Sequence, residues 1–328
     1  MDAFAQWKFH IKSIWEINAG INASYLLLNN TWGIDPRLGI KYFFRARQSV
    51  SLAVGLYSKP DHLSTYFIER RQLNGDLKYP NLNLPMLRAF HLVAGYEVKF
   101  KDDLRLKIEG YFQSLFKIPV SANRRSVFST LNASTVFEVI FQNDEDGAQL
   151  VSEGTGKNYG IECTLEKFFS RGYYYLLTTS LFDSKFRTLD GQAFHTRYAT
   201  NYATNLVGGK EWSIGVRKKN AFGLNVRLTL VGGLRTTPIL IDESRQAGMT
   251  VYDNKRFNTI CNTDYHRLDL GISYRINSEK KTHWIRLDIQ NLTDHRNVAY
   301  RYFDQCTQNT VTQYQNGLIP FVNYRIEF

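Results

Sequence analysis

The last eight residues of the chain alternate without a break. Val322, Tyr324, Ile326 and Phe328 fall on one face of an extended strand, and Asn323, Arg325 and Glu327 on the other. The same two-residue period recurs upstream. Leu268, Leu270, Ile272, Tyr274 and Ile276 alternate with Arg267, Asp269, Gly271, Ser273 and Arg275; Leu224, Val226, Leu228 and Leu230 alternate with Asn225, Arg227 and Thr229. Leu104, Leu106, Ile108 and Phe112 alternate with Arg105, Lys107, Glu109 and Gln113, and Val50, Leu52, Val54 and Leu56 with Ser51, Ala53, Gly55 and Tyr57. A soluble β-sandwich also alternates, but rarely places Arg, Lys, Asp and Glu on one face of so many successive strands. Segments of about ten residues with one apolar and one charged face suit a wall with lipid on one side and water on the other. The expected fold class is all-β: a transmembrane antiparallel up-and-down β-barrel.

Mean hydropathy is −0.34. No run of 18 apolar residues exists, so helical membrane spans are excluded, while a barrel with a polar lumen is allowed. The chain carries 20 Tyr, 22 Phe and 5 Trp. Trp32, Tyr42, Phe43, Phe44, Phe100, Phe116, Phe168, Phe169, Tyr173, Tyr174, Trp284 and Phe328 fall near expected strand ends, where such barrels carry aromatic girdles.

The alternation predicts about thirteen strands, near 1–12, 14–28, 34–44, 48–58, 87–100, 104–117, 158–169, 172–186, 199–217, 221–235, 264–276, 281–292 and 318–328. Short turns at Lys12-Ser13, Arg45 to Arg47, Lys101 to Asp103, Ser170 to Gly172, Lys218 to Phe222 and Asn277 to Lys281 alternate with long loops near 59–86, 118–157, 187–198, 236–263 and 293–317. One connection, Asn29 to Gly33, is short where a long one is expected. Short turns mark the periplasmic side of a barrel and long loops the outside. This parity puts the C-terminus on the periplasmic side of the cell outer membrane. Thirteen is odd, whereas single-chain bacterial barrels use even numbers, and an open wall leaves bare strand edges in lipid. No basic region followed by an apolar stretch opens the chain as a secretory signal would. Residues 1–328 are therefore read as one unit, the C-terminal portion of a larger barrel, with no plug domain.

Asp35-Pro36-Arg37-Leu38-Gly39-Ile40-Lys41-Tyr42, Gly160-Ile161-Glu162-Cys163-Thr164-Leu165-Glu166-Lys167 and Leu287-Asp288-Ile289-Gln290-Asn291-Leu292-Thr293-Asp294 (with Arg296-Asn297-Val298 behind it), together with the aromatic C-terminus, resemble TonB-dependent outer-membrane receptors in order and spacing. The resemblance implies a 22-stranded barrel closed by an N-terminal plug, of which this chain supplies about the last thirteen strands. It implies uptake of a scarce ligand (a ferric siderophore, cobalamin, a glycan or a peptide) energised by the TonB complex through the plug. Barrel-assembly machinery, outer-membrane lipid, lipopolysaccharide and a surface lipoprotein are the other partners it implies. Tyr324, Ile326 and Phe328 resemble the assembly signal of such barrels. A passive porin-like channel and a soluble β-rich binding module are the alternative functions.

The net charge of +11, at a pI near 9.4, accompanies no nucleic-acid motif, and no nucleic-acid partner is expected. Most Lys and Arg residues fall on the polar faces of strands, where they are expected to pair with carboxylates of a plug. Exposed aromatics and arginines are favoured anchors at binding surfaces. The ligand-contact candidates in the long loops are Arg70, Arg71, Tyr252, Arg256, Phe257, Tyr300, Arg301 and Tyr302. Cys261 and Cys306 fall in consecutive external loops, where a disulfide and two free thiols are both open, and Cys163 is in phase with the lipid-facing Ile161 and Leu165. The seven histidines share no metal-ligand spacing. Gly154-Thr155-Gly156-Lys157 fails as a P-loop, because Val151 replaces the first glycine and Asn158 the Ser/Thr; these read as loop glycines. Gly208-Gly209 and Gly232-Gly233 mark close backbone approach. Asp144-Glu145-Asp146 reads as a solvated acidic run. No catalytic residues, metal or cofactor are expected, and the chain is not read as an enzyme.

Overall fold

The computed structural model describes residues 1–71, 75–133, 149–216 and 219–328, with Arg71 described by its backbone alone. Asp144, Glu145, Asp146 and Lys218 lie outside the described residues. One antiparallel sheet dominates. Thirteen of its 14 strands follow one another in strict sequence order. They are β1 (Asp2–Ile11), β2 (Trp15–Leu26), β3 (Thr31–Arg45), β4 (Gln48–Lys59), β5 (Leu87–Lys101), β6 (Leu104–Ser121), β7 (Leu150–Ser170), β8 (Tyr173–Arg187), β9 (Tyr202–Ile214), β10 (Asn220–Val231), β11 (Tyr265–Asn277), β12 (Thr282–Gln290) and β13 (Ile319–Glu327). The short strand Ala193–His195 folds back on the end of β8. Edge strands β1 and β13 are not paired with each other among the described residues, so the sheet is open. Among the described residues, no helix is long and apolar enough to cross a membrane.

Turn chemistry sets this meander. Lys12 and Ser13 both take positive φ (49° and 53°), as do Arg171 and Gly172 (54° and 81°). That geometry matches the twist of two strands joined by a two-residue turn. Asn30, at φ 56°, closes the short connection expected at Asn29 to Gly33, which lies at 27–30, since Leu26 pairs with Thr31 and Gly33 is already in β3.

Pairing register carries the alternation from strand to strand. Leu206, Leu228 and Leu268 form one row of the apolar face. Val207, Arg227 and Asp269 form the neighbouring row of the charged face. Apolar side chains on the first face stand open: Leu52 is 52 % exposed, Ile161 58 %, Leu181 59 % and Val322 78 %. A water-soluble sheet covers such a face. Trp15, Tyr42, Phe44 and Tyr96 make a chain of ring contacts along the short-turn end of this face. Phe43, Tyr174 and Trp284 depart from the expected girdle: register puts them on the charged face, where Lys41 lies over Phe43 and Arg275 over Trp284.

The loop expected over 118–157 is shorter than the sequence suggests. β6 runs on to Ser121 and β7 begins at Leu150. Lys117 at φ 55° and two register shifts after Leu115 break the alternation there. Gly154 and Gly156 accordingly sit inside β7 rather than in a loop. A Cβ on Gly154 would fall 2.5 Å from Val120 Cγ1, so only glycine lets the bulged strand pack so closely. Gly232 and Gly233 approach the carbonyls of Thr200 and Asn262 at distances no Cβ could share, as expected, but they do so just beyond β10.

The buried apolar core lies in the long loops rather than in the wall. Tyr66 of helix α1 (Leu63–Tyr66) packs with Ile68, Leu84, Phe128 and Leu150. The loops also fold antiparallel pairs of their own, 70–71 with 77–78 and within 235–261 and 298–314, which alternation alone does not reveal.

Candidate functional site

The charged face of the wall pairs internally. Lys8–Glu16 (3.0 Å), Lys41–Glu97 (3.2 Å), Lys107–Glu109 (2.7 Å), Arg267–Asp269 (2.7 Å), Arg275–Glu211 (2.9 Å) and Arg286–Asp288 (2.7 Å) are ion pairs among wall residues. Arg105 reaches Glu166 directly across β6 and β7. The expectation that these cations wait for plug carboxylates is corrected for these residues: cross-strand register and next-neighbour spacing bring wall carboxylates to them. At the short-turn end, Lys167 and Ser170 hold the Asp103 carboxyl at a pKa of about 2.

On the same face, near the long-loop end of β1 to β5, the wall recedes into a cavity of about 470 Å³. Gly20, Gly39 and Gly55 thin its floor, and Arg37, Tyr57 and His91 stand on it. The Arg37 guanidinium lies 4.3 Å from the Tyr57 ring centroid, and Tyr57 lies 4.4 Å from His91. The sequence reading missed this cluster, because it exists only once Arg37, Gly55 and His91 are brought into one row. A cation backed by two rings can hold a flat or anionic group by stacking and charge together.

Above the wall the loops form two assemblies. The first joins 59–70 and 75–86 to 118–133 and Leu150 around Tyr66. Buried Asn81 ties it by accepting from Leu150 N (2.8 Å) and donating to the Thr65 carbonyl (3.1 Å). Arg70 is exposed here, on the Arg70–Lys78 rung of its hairpin, with Arg71 on the next rung. The second assembly joins 187–198, 235–261 and 298–314. Helix α2 (Ile241–Ala247) leads into its contacts: Arg245 donates to the Gln308 carbonyl (3.2 Å), and Phe303 N donates to Thr250 Oγ1 (2.9 Å). Tyr252, Arg256, Phe257, Tyr300, Arg301 and Tyr302 belong to this second assembly; Arg70 and Arg71 do not.

The six differ in what they offer. Tyr252 and Tyr300 are exposed, at 43 % and 53 %. Arg256 is exposed but held by Asp253 at 2.7 Å, and this pairing keeps the Asp253 carboxyl below its usual range. Tyr300 and Tyr302 stand side by side, 5.9 Å between centroids. The half-buried Arg301 has an Nε atom with no hydrogen-bond partner. Phe257 packs edge-on against Phe186 (6.1 Å) and Phe194 (5.7 Å), so its ring is a packing element of the assembly. Cys261, beside Arg235 in the 235–261 hairpin, and Cys306, in the turn of 298–314, are both exposed and free. The two sit on different hairpins, 235–261 and 298–314.

The C-terminal strand keeps its alternation. Tyr324 (59 % exposed) and Phe328 (88 % exposed) stand on the apolar face with Ile326. His283 Nδ1 lies 2.7 Å from Tyr324 Oη, and Lys281 lies over the Phe328 ring at 4.9 Å.

No family model matches the chain, and no curated protein matches its sequence. Solved structures do match its fold. The ferric yersiniabactin uptake receptor FyuA from Yersinia pestis aligns over 100 % of this chain and 45 % of its own, at TM-score 0.64 and 15 % identity. BauA, the ferric preacinetobactin receptor from Acinetobacter baumannii, aligns over 100 % of this chain and 42 % of its own, at 0.62 and 13 %. The outer membrane transporter YddB from Escherichia coli aligns over 98 % and 44 %, at 0.65 and 11 %. The chain spans less than half the length of each. Its fold is the β-barrel wall of TonB-dependent outer-membrane receptors, as the sequence resemblance implied.

Proposed function

We propose that this chain is the C-terminal portion of the barrel of a TonB-dependent outer-membrane receptor, and that the receptor takes up a ferric siderophore or a similar scarce chelate. One observation carries the reading: a wall with an open apolar face and an ion-paired polar face aligns over its whole length with ferric-siderophore receptors. On this reading the apolar face meets lipid and the charged face lines the lumen. The short turns and the C-terminus are periplasmic. β1 and β13 pair with strands of the complete receptor, since bare edges in lipid leave backbone groups unsatisfied.

The loops capture the ligand. Tyr252, Tyr300, Tyr302 and Arg301 supply rings and a positive charge suited to a flat, anionic iron chelate. The recess at Arg37, Tyr57 and His91 is the next station, inside the vestibule. TonB, acting on a plug, opens the path beyond. The wall makes and breaks no bonds. Barrel-assembly machinery recognises the strand ending at Tyr324, Ile326 and Phe328, while lipopolysaccharide and a surface lipoprotein meet the outer rim.

The test is radiolabelled iron uptake by cells expressing the full-length protein, with a panel of ferric chelates and with TonB present or deleted. Uptake of at least one chelate that disappears without TonB is expected. Permeation of small solutes indifferent to TonB would replace this reading with a passive channel.

A further inference from the structure

The apolar face carries a feature that a lipid-facing wall does not need. Leu52, Ala94, Gly110, Ile161 and Leu181 form one continuous row across five strands. Ala94 and Gly110, in its middle, have almost no side chain. The result is a depression of about 700 Å³, walled by Leu52, Leu92, Phe112, Ile161 and Leu181. A Cβ built on Gly110 meets nothing within 4 Å. Packing within the wall therefore does not call for glycine at this position.

Two rows nearer the long loops, Lys157 and Lys185 are direct cross-strand partners on the same face. Such partners have Cβ atoms about 5 Å apart, and like charges so placed repel. Lys185 lies 3.1 Å from Asp183. That carboxylate also accepts from Tyr159 (3.2 Å) and meets His195 (3.0 Å). Lys157 is exposed and forms no ion pair among the described residues. It stands four residues beyond Ile161, about 13 Å along the strand and about 10 Å along the membrane normal at a 35–45° tilt. Tyr159, between them, has an apolar ring over the depression and a hydroxyl toward the lysines, the arrangement of an interfacial aromatic.

We propose that this face binds one phosphate-bearing lipid of the outer leaflet. Its phosphate sits at Lys157 and Lys185, and an acyl chain fills the depression over Ala94 and Gly110. An anion there gives Lys157 the charge-assisted contact it lacks and shares Lys185 with Asp183. A chain in the depression gains wall contacts that a flat sheet lacks. The spacing from charge to depression matches that from headgroup to first acyl segments. The inference rests on the outer-membrane reading above, which supplies the lipid and the orientation.

The test uses the full-length protein in mild detergent. Retention of bisphosphorylated lipid A and of its dephosphorylated form is compared by native mass spectrometry, with folding checked separately by heat-modifiable migration. One lipid A per protein is expected. Lys157→Glu should weaken retention about tenfold, the scale of one lost charge-assisted contact, and should leave the dephosphorylated lipid unaffected. Gly110→Leu, whose side chain enters open space, should weaken retention of both forms. Equal retention of the two forms by the unaltered protein, or unchanged retention in folded Gly110→Leu, overturns the proposal and leaves the barrel reading intact. Absence of a heat-modifiable form of the unaltered protein overturns the barrel reading itself.

Discussion

Leu228→Arg in the full-length protein tests the assignment of faces most directly. Leu228 stands between Leu206 and Leu268 on the apolar face. Trp212, Phe222 and Tyr274 form an aromatic row on the same face near the short turns. Leu228 lies six residues beyond Phe222, about 20 Å along the strand. At a tilt of 35–45° that is about 14–16 Å of height in an apolar band about 25 Å tall. The side chain therefore sits within about 4 Å of the midplane, where arginine costs roughly 2–4 kcal/mol; the arginine's long stem reaching toward an interface favours the lower half. Arg227→Leu is the matched control. Arg227 is exposed on the opposite face, and its cross-strand partner Asp269 already accepts two hydrogen bonds from Arg267, each 2.7 Å. Losing Arg227 should cost under about 1 kcal/mol. Equilibrium guanidinium unfolding in phospholipid bilayers, followed by tryptophan fluorescence, measures both. An unaffected Leu228→Arg beside a strongly destabilised Arg227→Leu would mean the faces are inverted.

The other expectations can be checked as directly. Deleting Phe328 should lower outer-membrane insertion of the full-length protein far more than Tyr252→Ala, read by fractionation and heat-modifiable migration; equal effects would remove any special role for the chain end. Arg301→Ala and Tyr300→Ala should each weaken binding of the transported chelate about fivefold to thirtyfold, about 1–2 kcal/mol, and unchanged affinity in both would take the 298–314 hairpin out of the binding surface. Cys261 and Cys306 should both label on whole cells with a membrane-impermeant maleimide in the absence of reductant, whereas labelling only after reduction would indicate a disulfide. His295 lies against His266 with ring centroids 3.4 Å apart, and burial first, then the neighbouring imidazole, pushes its pKa below the ordinary 6.5. A depressed histidine favours the neutral folded form, so stability is complete above pH 6.5 and is lost as pH falls through the folded pKa. Hydrogen-exchange protection of 291–297, corrected for intrinsic rates, should drop between pH 7 and 5, and His295→Asn should flatten that change.

Strand existence and order were legible because the two faces meet such different surroundings that the period-two signal survives in almost every wall strand. The signal failed where the surroundings changed. Beyond Lys117 the strand stays paired to β7, but a bulge reverses the phase, and Ile118 and Val120 turn into fully buried positions. Phe257 has a binding residue's composition and location, yet contacts from Phe186 and Phe194, remote in sequence, decide its role. The charge of +11 invited an external partner for the same reason. Whether Arg275 meets Glu211 depends on a register across three strands, which no local pattern encodes.

The loop cap follows a different physical rule from the wall. Wall strands satisfy their backbone groups with each other, but a loop has no ladder, and buried unpaired groups are costly. Here asparagine side chains replace missing rungs. Asn297 accepts from His266 N and donates to the His266 carbonyl, both at 3.0 Å. Asn291, at φ 51°, holds His295 at both its N–H (3.2 Å) and its carbonyl (2.8 Å). Asn258 donates to the His195 carbonyl at 2.9 Å, and Asn81 bridges Thr65 and Leu150. All four are buried, at 5 % exposure or less. The side-chain amide matches the peptide group in donor and acceptor, so each can close a contact between segments distant in sequence. Two of the four, Asn291 and Asn297, belong to the stretch whose resemblance to receptor strands was visible from sequence. The stretch therefore does structural work at the corner where wall becomes loop. A cap fixed in this way presents Tyr300, Arg301 and Tyr302 from an ordered hairpin, so less ordering entropy opposes ligand capture than with a mobile loop.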